Sequence, residues 1–173
     1  MSAFVIRRIR ATDGAAFRDL RLRSLATDPT AFGSTLAREK EYSDELWVGR
    51  VEGSAASPDE GLWVAEDGRG QLVGMIGAYT KDGVRHVYGM WVEPAWRNSG
   101  VGGQLLDSLI AWAEESTRGS GTLLLSVNPS QEAAVRLYRS RGFRSTGVVD
   151  RLDHTAGAVV HEMIRAAPAT GGT

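Results

Sequence analysis

The 173-residue chain contains no cysteine, five prolines and three histidines, and its formal net charge is −1. Without cysteine there can be no disulfide, no thiolate zinc site and no thiol nucleophile. The three histidines, His86, His154 and His161, lack the i, i+4 spacing of a helical metal pair, so no metal is expected. No run approaches the ~20 apolar residues of a membrane helix, which excludes a membrane partner of that kind. The opening "MSAFVIRRIR" is too interrupted for a signal peptide, and a cytoplasmic location is the default. The charge balance has no basic excess to recommend a nucleic-acid partner. What is present, 42% hydrophobic residues with charges spread along the chain, fits one folded domain with a single buried core. Arg7, Arg8, Arg10, Arg18, Arg21 and Arg23 alternate with apolar residues and read as a solvated arginine face.

Periodicity supplies the elements. Phe4 to Arg10 alternates as a strand. Asp13 is placed to cap a helix running to about Ala26, with Phe17, Leu20 and Leu25 inward. A second helical region covers Leu36 to Val51, and "EGSAASPDEG" (52–61) reads as a loop. Three period-two segments follow, 62–66, 71–80 and 84–93, joined by "DGRG" and "KDG"; they predict an antiparallel meander. Val101, Leu105, Leu106, Leu109, Ile110 and Ala113 form the apolar stripe of a helix over 101–118. A short strand (122–127), a helix from Gln131 to Arg141 capped by Gly142, and a strand pair (143–151, 158–165) complete the chain. The fold class is therefore α+β, in one domain spanning 1–166, with a disordered tail at 167–173.

The segment "EPAWRNSGVGGQLL" places Gly100, Gly102 and Gly103 where the long helix begins. Glycine inside a helix costs about 1 kcal/mol relative to alanine, so a compensating role is implied. It could be a flexible loop, a close helix–sheet contact or a simple turn. It could also be an anion site, since the first helical turn offers unpaired N–H groups at the positive end of the helix dipole. A Walker loop is excluded because no Gly-Lys-Ser/Thr follows. The antiparallel meander disfavours a Rossmann site. The anion reading thus points to a pyrophosphate that is not part of a conventionally bound dinucleotide.

On these residues the chain resembles the GNAT family of N-acetyltransferases, whose signature is [Arg/Gln]-x-x-Gly-x-[Gly/Ala] after a strand ending in "hydrophobic-x-Val-x-Pro". Arg97, Gly100 and Gly102 fall on the signature, and Met90, Val92 and Pro94 on the strand end. Downstream, Ala134, Leu137, Tyr138, Gly142 and Phe143 match the family's "A-x-x-LY-x-x-x-GF" segment. The resemblance implies a mixed, mostly antiparallel sheet of about seven strands with a splayed central strand and about four helices. It implies acetyl-coenzyme A as acetyl donor and no metal. Coenzyme contacts would come from Met90, Trp91 and Val92 on the strand, from Arg97, Asn98, Ser99, Gly100, Val101, Gly102 and Gly103 at the turn, and from Asn128, Gln131 and Tyr138 beyond it. A β-bulge near Gly89 would aim the Met90 N–H at the acetyl oxygen.

Acetyl transfer to an amine needs a neutral amine, a polarised carbonyl and a protonated leaving thiolate. Tyr138 matches the family's acid, and a phenol with a pKa near ~10 retains its proton at neutral pH. The family's strand glutamate is replaced here by Ser126. In histone-acetylating members of the family the base is a central-strand glutamate about eleven residues before the signature, and the resemblance puts His86 at that position as base, with Glu39, Glu41 and a water relay as alternatives; imidazole titrates near ~6.5. The acceptor wall falls in "DPTAFGSTLAREKEYSDELW" (28–47), with Phe32, Tyr42 and Glu41 as substrate contacts, and Glu39, Glu41, Asp44 and Glu45 available to attract an ammonium group. The expected acceptor is a small-molecule primary amine. The alternatives are a protein N-terminus or lysine, or a non-catalytic acyl-coenzyme A sensor. Homodimers are common in the family, which extends the expectation to a homodimer.

Overall fold

In the computed structural model, residues 3–115, 121–152 and 158–168 are described. Seven strands form one sheet: β1 (Phe4–Arg8), β2 (Glu60–Asp67), β3 (Leu72–Lys81), β4 (Val84–Val92), β5 (Leu123–Val127), β6 (Arg144–Leu152) and β7 (Ala158–Arg165). Their spatial order is β1-β2-β3-β4-β5-β7-β6, and only the β4–β5 pair is parallel. The expected mixed, mostly antiparallel sheet is therefore present.

Five α-helices lie among the described residues: α1 (Gly14–Thr27), α2 (Leu36–Lys40), α3 (Asp44–Ala56), α4 (Val101–Glu115) and α5 (Glu132–Ser140). The apolar stripe of α4 is fully or almost fully buried, from Val101 through Ala113. Residues 116–118 of the expected helix, His154, and 169–173 of the expected tail lie outside the described residues. No described helix is long and apolar enough to cross a membrane.

Two cores flank the sheet. One joins the α4 stripe to Val87, Leu123, Leu125, Val127, Tyr138 and Phe143; the other joins Phe17, Leu20 and Leu25 of α1 to Trp47, Val51, Met75 and Trp91. Phe143 follows a glycine-capped helix end. Gly142 has φ +87°, its N–H donates to Arg139 O, and the Phe143 N–H donates to Tyr138 O, the paired bonds of a Schellman motif.

The N-terminal third departs from the sequence reading in four ways. The second helical region is two helices, because Thr35 and Ser43 each cap a new start, accepting from Arg38 N and Leu46 N. The expected loop at 52–61 is largely helix and strand. Arg8 makes this possible by donating to the carbonyls of Ser54, Ser57 and Glu60, which satisfies the open C-terminal end of α3. Asp13 does not cap α1; its carboxylate accepts from Arg10 N and pairs with Arg7. Four of the six arginines expected on a solvated face are not on one, although Arg10 is exposed. Arg7, Arg8, Arg21 and Arg23 are all engaged in ion pairs or carbonyl bonds.

Candidate active site

The centre of the sheet is open. β4 and β5 pair only at Arg85–Leu123 and His86–Leu124, and beyond those residues the two strands separate. A cavity of about 460 Å³ occupies the gap, lined by consecutive residues 86–90 of β4 and 124–128 of β5 and the turn after it. Successive strand residues face opposite sides of a sheet. A cavity lined by an unbroken run therefore lies between the strands, against their backbone edges.

A bulge in β4 accompanies the gap. Tyr88 pairs with Gly77 and Trp91 with Met75, so Gly89 and Met90 together face the single residue Ile76. Gly89 has φ +65°, the left-handed conformation that this kind of bulge favours. The insertion also reverses the side-chain alternation. Val87 packs into the α4 core, whereas Trp91, four residues on, packs into the α1 core. Without an extra residue, two positions four apart would share a face.

The cavity gathers several of the expected site residues. His86, Met90, Asn128, Gln131, Tyr138 and Phe32 line it. Tyr138 is 5% exposed, its ring tilts against Phe143 at 5.6 Å, and burial pushes its phenol pKa well up. No hydrogen bond among the described residues engages that phenol, which leaves its proton for a ligand. His86 stacks flat on Tyr79, with ring centroids 5.1 Å apart, so its imidazole plane is fixed by the neighbouring strand. Asn128 is occupied locally, its amide oxygen accepting from Ser130 N and Oγ.

The glycine turn lies apart from this cavity's walls, at the exposed N-terminal tip of α4. Arg97 and Ser99 brace the turn itself. Arg97 donates to Val92 O and pairs with Asp28, and Ser99 donates to Trp96 O. Asn98 has φ +61° and Gly100 φ +91°, so the chain enters the helix through a left-handed turn. Val101 is fully buried and Trp91 points its indole N–H at Asp28, so these two could meet a ligand only through backbone atoms. The hydrogen bonds of the helix begin with Gln104 N to Gly100 O, which leaves the amides of residues 101–103 without an intrahelical acceptor.

The glycines do different things. A Cβ on Gly100 would meet only the Gln104 side chain, at 3.9 Å, so its glycine answers to the left-handed backbone and not to crowding. A Cβ on Gly102 would lie 3.2 Å from Met90 Cε and 3.5 Å from Leu137 Cδ2, and one on Gly103 would meet Arg141 Nη2 at 2.8 Å. The absent side chain of Gly102 thus makes room for protein, in a close contact of α4 with β4 and α5. Gly102→Val should overpack the Met90–Leu137 seam, lowering stability by about 1–3 kcal/mol in urea unfolding and disturbing the β4 edge at Met90. Wild-type stability in that variant would contradict the packing.

Two expectations fail on the acceptor side. Glu41 is exposed and lines neither this cavity nor the neighbouring one. Glu39 is not open to an ammonium group or a substrate proton: it is 2% exposed, with Arg21 donating from Nε and Nη2 to its carboxylate at 3.0 and 2.8 Å. Burial pushes the Glu39 carboxyl up, but the Arg21 hydrogen bonds and charge, with Arg50 adding to them, hold it below its ordinary value. Sequence reasoning missed Glu162, the one carboxylate among the cavity's described lining residues. It pairs with Ser126 across β5–β7 and accepts from the Thr146 hydroxyl at 2.8 Å. Its signal was strand alternation, which places it on the face of Val160. Among the described residues no group of three or more His, Asp or Glu side chains could hold a metal.

Residues 20–143 match the acetyltransferase (GNAT) family. The chain belongs to that family. Among relatives, it is 35% identical over 114 residues to the N-alpha-acetyltransferase RimI of Mycobacterium tuberculosis, covering 64% of this chain and 68% of that protein. It is 33% identical over 131 residues to the mycothiol acetyltransferase of Thermobifida fusca, covering 70% of this chain and 37% of that protein. A 40% identical match to the uncharacterized protein ML0378 of Mycobacterium leprae covers 47% of this chain but only 21% of that longer protein. A GNAT acetyltransferase structure from Streptococcus pneumoniae superposes with a TM-score of 0.82 at 22% identity, covering 96% of this chain and all of that one, which shows the shared fold.

Acetyl-coenzyme A, the GNAT donor, fits what the residues offer. An elongated thioester needs unpaired backbone partners along its arm and anion donors at its diphosphate. The parted β4 edge and the open amides of the α4 tip have those properties.

Proposed function

We propose that this GNAT protein transfers an acetyl group from acetyl-coenzyme A directly to the primary amine of a small molecule. The observation that carries the reading is the gap between β4 and β5, a cavity with free strand edges that has Tyr138 in its wall. When bound, acetyl-coenzyme A supplies the acetyl group as an activated thioester.

Each remaining task falls to a residue of this chain. The amides of residues 101–103, with the Arg97–Gly100 turn, take the diphosphate. Met90, at the bulge, donates its N–H to the acetyl oxygen, while Trp91 and Val92 contribute backbone to the pantetheine arm. Asn128 and Gln131 close the cavity from the far side. Tyr138 gives its proton to the departing sulfur. Its apolar surroundings keep the phenol protonated until the thiolate develops; because burial also disfavours the phenolate left behind, that phenolate regains its proton from solvent before the next turnover. His86 takes the proton of the amine, and Glu162 presents the carboxylate that draws the ammonium form into the cavity. No covalent acyl-enzyme is needed.

A second cavity, about 480 Å³ and walled by α1, α2 and α3, meets the first at Tyr88 and Gly89. A chamber of that size suits a small acceptor. The likeness to RimI favours protein α-amino groups as the second acceptor class. Incubation with acetyl-coenzyme A and a panel of small amines and N-terminal peptides, with free thiol followed, tests the reading. Amine-dependent thiol release is expected. Saturable coenzyme binding with no acceptor-dependent release across the panel would make the protein a sensor instead.

A further inference from the structure

The second cavity carries its own charge pattern. Its ionised lining residues are Arg21, Arg38 and Arg50 against Glu39 and Glu60, an excess of one positive charge. Glu39 is already committed to Arg21 through a forked, buried contact. Glu60 is the one lining carboxylate with no ion pair among the described residues, so toward the cavity Arg38 and Arg50 outnumber the negative charge left.

Arg50 is held in a particular way. Its guanidinium lies over the rings of Tyr42 and Trp47, at 4.8 and 5.2 Å from their centroids, and it comes no nearer to Glu39 than 3.8 Å. Stacking on aromatic faces fixes the plane of a guanidinium while its N–H groups project from the edge. No hydrogen bond among the described residues uses those donors, or the side-chain donors of Arg38. Two arginines with open forks on one cavity wall have the geometry that carboxylates fill in pairs of parallel bonds. Tyr88 and Gly89, shared by both cavities, place this wall beside the β4 bulge where the amine must arrive.

We propose that Arg38 and Arg50 bind a carboxylate of the acceptor, so that the amine substrate is one that also carries a carboxylate. This rests on the acetyl-transfer reading. An amine of that kind would be oriented from its acidic end, with the amino group delivered toward Gly89 and Met90. The acidic stretch 39–45 then has no part in attracting the substrate, contrary to the expectation from sequence.

The test is equilibrium binding, which does not depend on turnover. N-acetyl derivatives of the standard amino acids and their uncharged N-methyl amides are titrated into the full chain by calorimetry, alongside the thiol-release assay with the free amino acids. At least one acid should bind about tenfold more tightly than its amide, the difference expected for one or two charge-assisted bonds. Arg38→Gln and Arg50→Gln should each reduce that ratio, and the double variant should bring it to about one. Arg38 is exposed on α2 and makes no ion pair among the described residues, so its variant reports even if Arg50 proves needed for packing. Equal binding of acids and amides throughout the panel would overturn the proposal, as would a preference that survives both substitutions. Acid preference without any thiol release would support the subsite while refuting acetyl transfer. Thiol release without acid preference would refute the subsite alone.

Discussion

Tyr138→Phe should lower turnover by about 10²-fold or more, the usual contribution of a positioned general acid, while leaving acetyl-coenzyme A affinity close to wild type. The split follows from the geometry. The ring of Tyr138 packs against Phe143 and belongs to the α4 core, and phenylalanine keeps all of that contact. What is lost is one hydroxyl, which has no hydrogen-bond partner among the described residues. Removing it strands no buried donor elsewhere, so stability should hardly change. Single-turnover kinetics with acetyl-coenzyme A, set beside equilibrium binding of the coenzyme, make the measurement. Equal losses in binding and turnover would mean that the hydroxyl only holds the ligand. Full activity would remove Tyr138 from proton transfer and leave the departing thiolate to collect its proton from solvent.

How far the sequence foretold this site depended on whether a residue's role is local. The α4 stripe was legible because burial of one helix face follows a 3.6-residue period. Gly142 was legible because a left-handed helix cap favours glycine. The bulge at Gly89 was inferred from resemblance and is now visible as a break in register and a reversal of side-chain faces. The residues that failed are those decided by long-range contacts. Nothing near Arg8 in the chain indicates that its guanidinium will close the end of α3, about fifty residues away. Local composition at 52–61, rich in small residues, pointed to a loop that tertiary capping turned into structure. Asp28 is another such case: its carboxylate joins the Trp91 indole to Arg97 and so ties the α1–α2 connection to the turn before α4. Glu39 and Glu41 look alike in sequence, two residues apart, yet one is buried under Arg21 and the other is exposed. Helical phase separates them, and the phase was obscured by reading two short helices as one.

That buried glutamate gives the second large effect. Glu39→Gln preserves shape but leaves the Arg21 guanidinium, 14% exposed at its side chain and stacked over Phe32, without the charge it was built against. Breaking a buried ion pair from one side costs about 3–5 kcal/mol. The access of Arg21 to both cavities lets water relieve part of that, so a loss of about 3 kcal/mol is expected at pH 7. Against a typical domain stability of about 5–15 kcal/mol, such a loss is easily read in urea unfolding. The pH dependence gives an independent check on its origin. The Glu39 carboxyl titrates lower in the folded state than in the unfolded chain, so its contribution is complete above the unfolded value near ~4.3 and disappears as pH falls through the folded value. Acidification should therefore destabilise the wild type more than the variant, and the gap between their unfolding free energies should narrow below about pH 4. Asp13, held low by Arg7, adds acid sensitivity to both proteins equally and cancels in the difference. A gap that stays constant from neutral to acid pH would show that the lost stability comes from packing or hydrogen bonding and not from the ionised carboxylate. A variant as stable as wild type at pH 7 would mean that Arg21 has water or another acceptor ready in place of Glu39, and that the wall between the two cavities does not depend on their pairing.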